Sequence, residues 1–177
     1  MKIVEATTAD LEAFYVYLNA QLEENNTNSA PSFQPLSKAC SYVSEELKAK
    51  FQDGFQFEVG QTGWRKLWLA KEENNTIVGH IDLRQYNEPY KAHRVMLGMG
   101  VESRIRRQGV GVALINAVVA FCQHTEHVRW LDLNVLSNNL PAKKLYEKYG
   151  FKVIGNMSDC YRIDGHSIDE LTMTRAI

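Results

Sequence analysis

The sequence predicts an α/β protein in which a mixed, mostly antiparallel sheet of about seven strands carries helices on both faces. Three observations lead there. Along the 177 residues the hydropathy pattern switches repeatedly between strict alternation and helical spacing. Turn-forming residues, Glu73-Asn74-Asn75 and Asp164-Gly165, fall between alternating runs, as hairpins require. Finally, a helical run from Gly109 to Gln123 joins two strand-like runs, so it must act as a crossover between them.

Each element has its own local reason. Lys2 to Ala6 alternates like a short strand, and Thr7 or Thr8 can cap a helix carrying Leu11, Phe14, Tyr15, Leu18 and Leu22 on one side. Glu23 to Ser29 is polar and reads as a surface loop with a hinge role. From Ser37 to Lys50 a second helical pattern runs, with Ser37 as the candidate cap and Tyr42, Val43 and Leu47 on its apolar side. Phe51 to Trp64 is aromatic and shows no clear period. Leu67, Leu69, Ile77, Ile81 and Leu83 then flank the Glu73-Asn74-Asn75 turn as a hairpin. Arg94 to Val101 is a strand, Gly109 to Gln123 a helix, Val128 to Val135 a strand, and Leu140 to Tyr149 a helix. Two strands around Asp164-Gly165 close the chain, because that dipeptide tolerates the positive dihedral angles of a tight turn.

Bulk composition narrows the function. One domain over residues 1–177 is expected, with 45% hydrophobic residues to fill a core. Twenty basic residues against twenty-one acidic ones leave a formal charge of −1, so no nucleic-acid partner is expected and any anion site must be local. Cys40, Cys122 and Cys160 are scattered and odd in number, with no metal-ligand spacing, which implies a reducing compartment and no metal. No run approaches the roughly 18 apolar residues of a spanning helix, nor does the start resemble a leader, so the expectation is a cytoplasmic protein with no membrane partner. The residues leave the oligomeric state open, a homodimer included.

The chemistry concentrates at Arg106-Arg107-Gln108-Gly109-Val110-Gly111. A strand ending at Val101, a basic turn with glycines, and a helix starting near Gly109 together make an anion site, since first-turn N–H groups point outward and the helix dipole adds positive potential. Gly109 and Gly111 have no Cβ to hold a phosphate away, and Arg104, Arg106 and Arg107 supply counter-charge, or else form a solvated face. A nucleotide triphosphatase loop is excluded, because Val112-Ala113 stands where Lys-Ser/Thr is needed. A dinucleotide fingerprint fails too: Leu114 takes the third glycine's place, and Asp132 lies mid-strand.

Arg106-x-x-Gly109-x-Gly111, preceded by Leu97-Gly98-Met99-Gly100-Val101, resembles the acyl-CoA signature of the GCN5-related N-acetyltransferase (GNAT) superfamily. Downstream, Asn139-Leu140-Pro141-Ala142-Lys143-Lys144-Leu145-Tyr146-Glu147-Lys148-Tyr149-Gly150-Phe151 is similar to that family's Asn-x-x-Ala-x-x-Leu-Tyr-x-x-x-Gly-Phe pattern. The likeness covers Leu67 to Ile177, while the N-terminal third matches only in its order of elements.

The resemblance implies acetyl-CoA as co-substrate, with its pyrophosphate on the backbone of Arg106, Arg107, Gln108, Gly109, Val110 and Gly111. It implies pantetheine paired along Met99, Gly100 and Val101, with Asn139 and Ala142 close by. On the residues alone Asn139 is a helix cap, and the two roles are compatible. Tyr146 read alone is a core aromatic; the resemblance makes it the general acid that protonates the leaving thiolate. No base is evident: Asp82, Glu88, His93 and Asn134 are the candidates within reach. The acceptor pocket would be built from Leu22 to Trp64 and the terminal hairpin, a region holding Glu23, Glu24, Glu45 and Glu46 beside Phe33, Tyr42, Phe51, Phe55, Phe57 and Trp64. The implied function is transfer of acetyl to a primary amine of a small molecule or peptide by direct attack. A non-catalytic acyl-CoA-binding protein, or acyl transfer to a hydroxyl or a protein N-terminus, remains the alternative.

Overall fold

In the order β1 (Lys2–Glu5), α1 (Leu11–Glu23), α2 (Glu45–Gly54), β2 (Arg65–Lys71), β3 (Ile77–Gln85), β4 (Arg94–Val101), α3 (Val110–Gln123), β5 (Trp130–Leu136), α4 (Leu140–Lys148), β6 (Lys152–Ile163) and β7 (His166–Ala176), the elements follow the expected sequence. The structure is a computed structural model describing residues 1–25 and 34–177; residues 26–29 of the polar patch, and Phe33, lie outside the described residues. All seven strands form one sheet in the order β1-β2-β3-β4-β5-β7-β6. Every neighbouring pair is antiparallel except β4 with β5, the pair joined by the α3 crossover.

Strand alternation sorts the side chains between two layers. Trp68 and Ala70 of β2, with Ile81 and Leu83 of β3, pack against Leu114, Ile115 and Val118 of α3, and Tyr146 of α4 joins the same cluster. Leu67 and Leu69 of β2 face the other way, onto Phe14 and Leu18 of α1 and Phe51 of α2. Helices therefore cover both faces, as the pattern predicts.

The second helix differs from expectation. Ser37 leads only into a 3-10 turn, Lys38–Cys40, and its side chain makes no cap bond. α2 starts at Glu45 instead, where Ser44 Oγ accepts the Leu47 N–H at 3.2 Å and Glu45 and Glu46 occupy the positive first turn. Tyr42 is consequently exposed, at 59%, and the helix runs on through Phe51. The local cause is cap strength: a serine followed by two acidic residues wins over one followed by Lys-Ala-Cys. The terminal hairpin turns as expected at Asp164 (φ 49°) and Gly165 (φ 82°), and Asp164 accepts the Lys38 N–H at 3.1 Å, which ties the hairpin tip to the turn before α2.

One departure from regular sheet positions the site. β4 and β5 pair only through Arg94↔Trp130, Val95↔Leu131 and Met96↔Asp132. Beyond Met96, β4 stays in register with β3 as far as Val101, while β5 stays in register with β7 as far as Leu136. Each strand follows its own antiparallel neighbour, and a wedge opens between them.

Candidate active site

The tied end of the wedge is held by side chains. Arg94 donates to Asp132 through Nε at 2.7 Å and Nη2 at 2.5 Å, and Nη2 also reaches Thr174 Oγ1 at 2.8 Å. Tyr86 O–H and Thr174 O–H donate to the two oxygens of the same carboxylate, at 3.2 and 2.6 Å. Asp132 thus binds β4, β5 and β7 together where β4 parts from β5.

At the open end, β4 runs into the basic loop. Arg107 (φ 63°) and Gly109 (φ 86°) both take left-handed backbone, and the first i→i−4 bond of α3 is Ala113 N–H to Gly109 O at 3.0 Å. The amides of Val110, Gly111 and Val112 precede that ladder and are the ones a helix leaves for an anion. The arginines divide. Arg104 is committed to Glu72, at 2.9 and 3.1 Å, and to Glu102 at 2.7 Å, so it braces the loop. Arg106 Nε donates to the Val101 carbonyl at 3.0 Å and its Nη2 lies 3.6 Å from Glu24. Gln108 Nε2 donates to the Arg104 carbonyl at 3.3 Å, while Arg107 stands exposed.

The two glycines have different causes. A Cβ at Gly109 would meet nothing within 4 Å, so its backbone angle is what requires glycine. At Gly111 the angle is ordinary, but a Cβ would stand 3.0 Å from Leu145 Cδ2 of α4. Gly111 therefore admits a neighbouring helix.

Between the two ends lies a cleft of about 760 Å³. Met99, Asn139, Ala142 and Tyr146 all line it, so residues far apart in sequence meet there, while Gly100 and Val101 continue along β4 toward the loop. Asn139 Oδ1 accepts the Ala142 N–H at 3.3 Å, which makes it the cap of α4 as well as a cleft residue. Tyr146 is 6% exposed, its ring meets Phe151 edge-on at 5.6 Å, and burial raises the phenol's pKa. The Gly100 carbonyl accepts the Tyr17 O–H at 3.2 Å, and Tyr17 in turn meets His80 Nδ1 at 3.3 Å.

The α1/α2 face of the sheet sets the candidate base Asp82 among residues that sequence reading overlooks, His80, Arg84 and Arg65. His80, Asp82 and Arg84 of β3 stand opposite Gly100, Gly98 and Met96 of β4. A Cβ on Gly98 would come 2.5 Å from Asp82 Oδ1, and one on Gly100 would come 2.7 Å from His80 Cε1. The glycines are the space into which those side chains lean. Arg65 also lines the cleft, and His80, fully enclosed, has its pKa driven down to about 4 by burial. The available signal was the alternation of polar His80, Asp82 and Arg84 along β3 beside the alternate glycines Gly98 and Gly100 of β4.

Of the candidate bases, Asp82, Asn134 and Glu88 reach the cleft, Glu88 paired with Lys91 at 2.8 Å. His93 does not: its carbonyl accepts the Arg129 and Trp130 amides at the tied end. From the expected acceptor region, Phe51 lines the cleft while Trp64 is buried in the α3-side core. Glu45 and Glu46 pair with Lys48 and Lys50. Tyr161 and Glu170 of the terminal hairpin face the cleft, joined by a 2.7 Å hydrogen bond. Among the described residues no group of three or more His, Cys, Asp or Glu could hold a metal ion, and no helix is long and apolar enough to cross a membrane.

A sheet whose parallel central pair splays into a cleft, with one strand ending at the bare amides of a helix, defines an open α/β protein with a candidate anion site at one end of a cleft through its sheet. The chain belongs to the acetyltransferase (GNAT) family, whose model matches residues 32–151. It is 31% identical to the Escherichia coli L-amino acid N-acetyltransferase AaaT over 99 residues, which are 56% of this chain and 61% of that protein, less than two thirds of its length. Among solved structures, a GNAT-family acetyltransferase of Streptococcus pneumoniae matches with TM-score 0.83 and 23% identity over 99% of both chains. A phosphinothricin acetyltransferase of Sinorhizobium meliloti, solved in complex with AcCoA, matches with TM-score 0.76 and 19% identity over 99% of this chain and 88% of that one. The expected family and fold are both borne out.

Proposed function

We propose that this chain transfers an acetyl group from acetyl-CoA to a primary amine by direct attack, working as one domain in the cytoplasm. The observation that carries the reading is continuity: one strand, β4, leads from a cleft lined by Tyr146 to a helix start whose amides are bare. The residues present fit the donor. The amides of Val110 to Val112 with exposed Arg107 suit a pyrophosphate, and Met99 and Ala142 give the wedge apolar walls for a slender arm. The names of the relatives, amine acetyltransferases in which one structure holds AcCoA, point the same way.

Acetyl-CoA supplies an activated thioester. An amine attacking its carbonyl forms the C–N bond and breaks the C–S bond, expelling a thiolate whose conjugate acid has a pKa of about 8.5. A positioned phenol can protonate it, while the nitrogen sheds one proton to water and the phenolate takes one back. Tyr146 is that phenol. Burial keeps it protonated at neutral pH, and its packing on Phe151 fixes the ring at the cleft wall. Calorimetry with acetyl-CoA and a CoA-release assay over amines and short peptides test the reading together. Tyr146→Phe should lower kcat by about 10²–10⁴-fold with little change in acetyl-CoA affinity. Equal turnover in the variant would remove Tyr146 from the chemistry, and no acetyl-CoA binding by the native chain would sink the whole reading, the non-catalytic acyl-CoA-binding alternative with it.

A further inference from the structure

Arg65, the first residue of β2, has its side chain only 9% exposed, and its guanidinium lies 4.1 Å over the Phe51 ring. Its Nε reaches Asp82 Oδ2 at 3.2 Å, and Arg84 Nη1 reaches that same oxygen at 3.2 Å. Two guanidiniums thus share one carboxylate oxygen, which leaves a positive charge over inside the cleft. Arg65 Nη1 is buried and meets no hydrogen-bond acceptor. A buried charged donor without an acceptor is destabilising, and a ligand that brings an acceptor recovers the loss on binding. The other acidic groups on the cleft do not answer it: Glu88 pairs with Lys91, and Glu170 accepts from Tyr161. Asp82 Oδ1, the oxygen the arginines do not take, turns toward Gly98 on the splayed strand.

We propose that the acceptor is a small amino-carboxylate whose carboxylate is held by Arg65 Nη1 and whose amine hydrogen-bonds to Asp82 Oδ1 beside Gly98. This rests on the acetyl-transfer reading above and specifies its substrate class. Because both binding groups belong to one Arg65–Asp82 ion pair, the ligand's amine and carboxylate must lie a few bonds apart, as in an α- or β-amino acid. Peptides offering only an N-terminus, and amines without an acid, leave Arg65 Nη1 unanswered.

The test measures kcat and KM by CoA release for L-methionine, L-phenylalanine and L-glutamate, each against its α-carboxamide, which keeps the amine and side chain and removes the charge. The native chain should prefer the acids by about tenfold to a hundredfold in kcat/KM, chiefly through KM. Arg65→Lys should keep part of that ratio and Arg65→Gln should bring it close to one. Should Arg65→Gln fail to fold, the native ratio and Arg65→Lys decide the matter. Equal use of acid and carboxamide by the native chain, or a ratio that survives Arg65→Gln, overturns the inference while leaving acetyl transfer standing. Absence of acetyl-CoA binding in calorimetry overturns both.

Discussion

At its Arg94 end the β4–β5 pair is ordinary sheet, and at its Val101 end the same two strands are the walls of a cleft. Both ends carry buried charge. At the tied end, Asp132 is met by a bidentate arginine, a threonine and a tyrosine, so its oxygens are satisfied within the protein. Toward the open end Asp82 meets two arginines through one oxygen, and Arg65 keeps a buried N–H without a partner. The difference separates two uses of buried charge: charge that the fold completes holds strands together, and the charge left incomplete at Arg65 is the one the proposed acceptor would meet.

Breaking the tied end should have the largest effect. Arg94→Ala leaves the buried Asp132 carboxylate without its cation and should cost about 3–5 kcal/mol in chemical denaturation. A loss below about 1 kcal/mol would mean that backbone pairing alone closes that end. Next comes acidification, which addresses the open end through His80. Its folded pKa, about 4, lies below the unfolded value, so the unfolded chain takes up the proton first. The stability it contributes is present above about pH 6.5 and is lost as pH falls toward 4, amounting to about 3 kcal/mol. His80→Gln should flatten that part of the pH–stability curve; an unchanged slope would show that other groups carry it. Smallest is Gly109→Ala. Forcing a Cβ into left-handed backbone at φ 86° should cost about 1–2 kcal/mol in melting experiments, with open space around it leaving the cleft unaltered.

Much of this was legible in the sequence, and what was not has a common cause. The order of strands, the crossover helix and the Asp164-Gly165 turn follow from periodicity and local dihedral preference. Met99, Asn139, Ala142 and Tyr146 were expected near one another, and one cleft brings them together. α2 starts later than Ser37 suggests because Ser44-Glu45-Glu46 is the stronger cap, a choice that depends on the residues after each serine. His80 and Arg65 were missed because their meaning depends on register, His80 across from Gly100 and Arg65 across from Arg84, and which side chains face one another across a pair is not shown by the pattern within either strand. Arg104 shows the reverse limit: its charge was evident, while its engagement by Glu72, 32 residues away, was not.

The contact between Gly111 and Leu145 makes one lever of two motifs that are far apart along the chain. Leu145 Cδ2 stands 3.0 Å from where a side chain at 111 would begin, so even a methyl group there would press on α4. A side chain at 111 would therefore be felt by the helix that carries Tyr146. Substitutions at 111 and 145 should compensate only as pairs, a larger residue at one demanding a smaller at the other, so that ligand grip and proton delivery drift together or not at all.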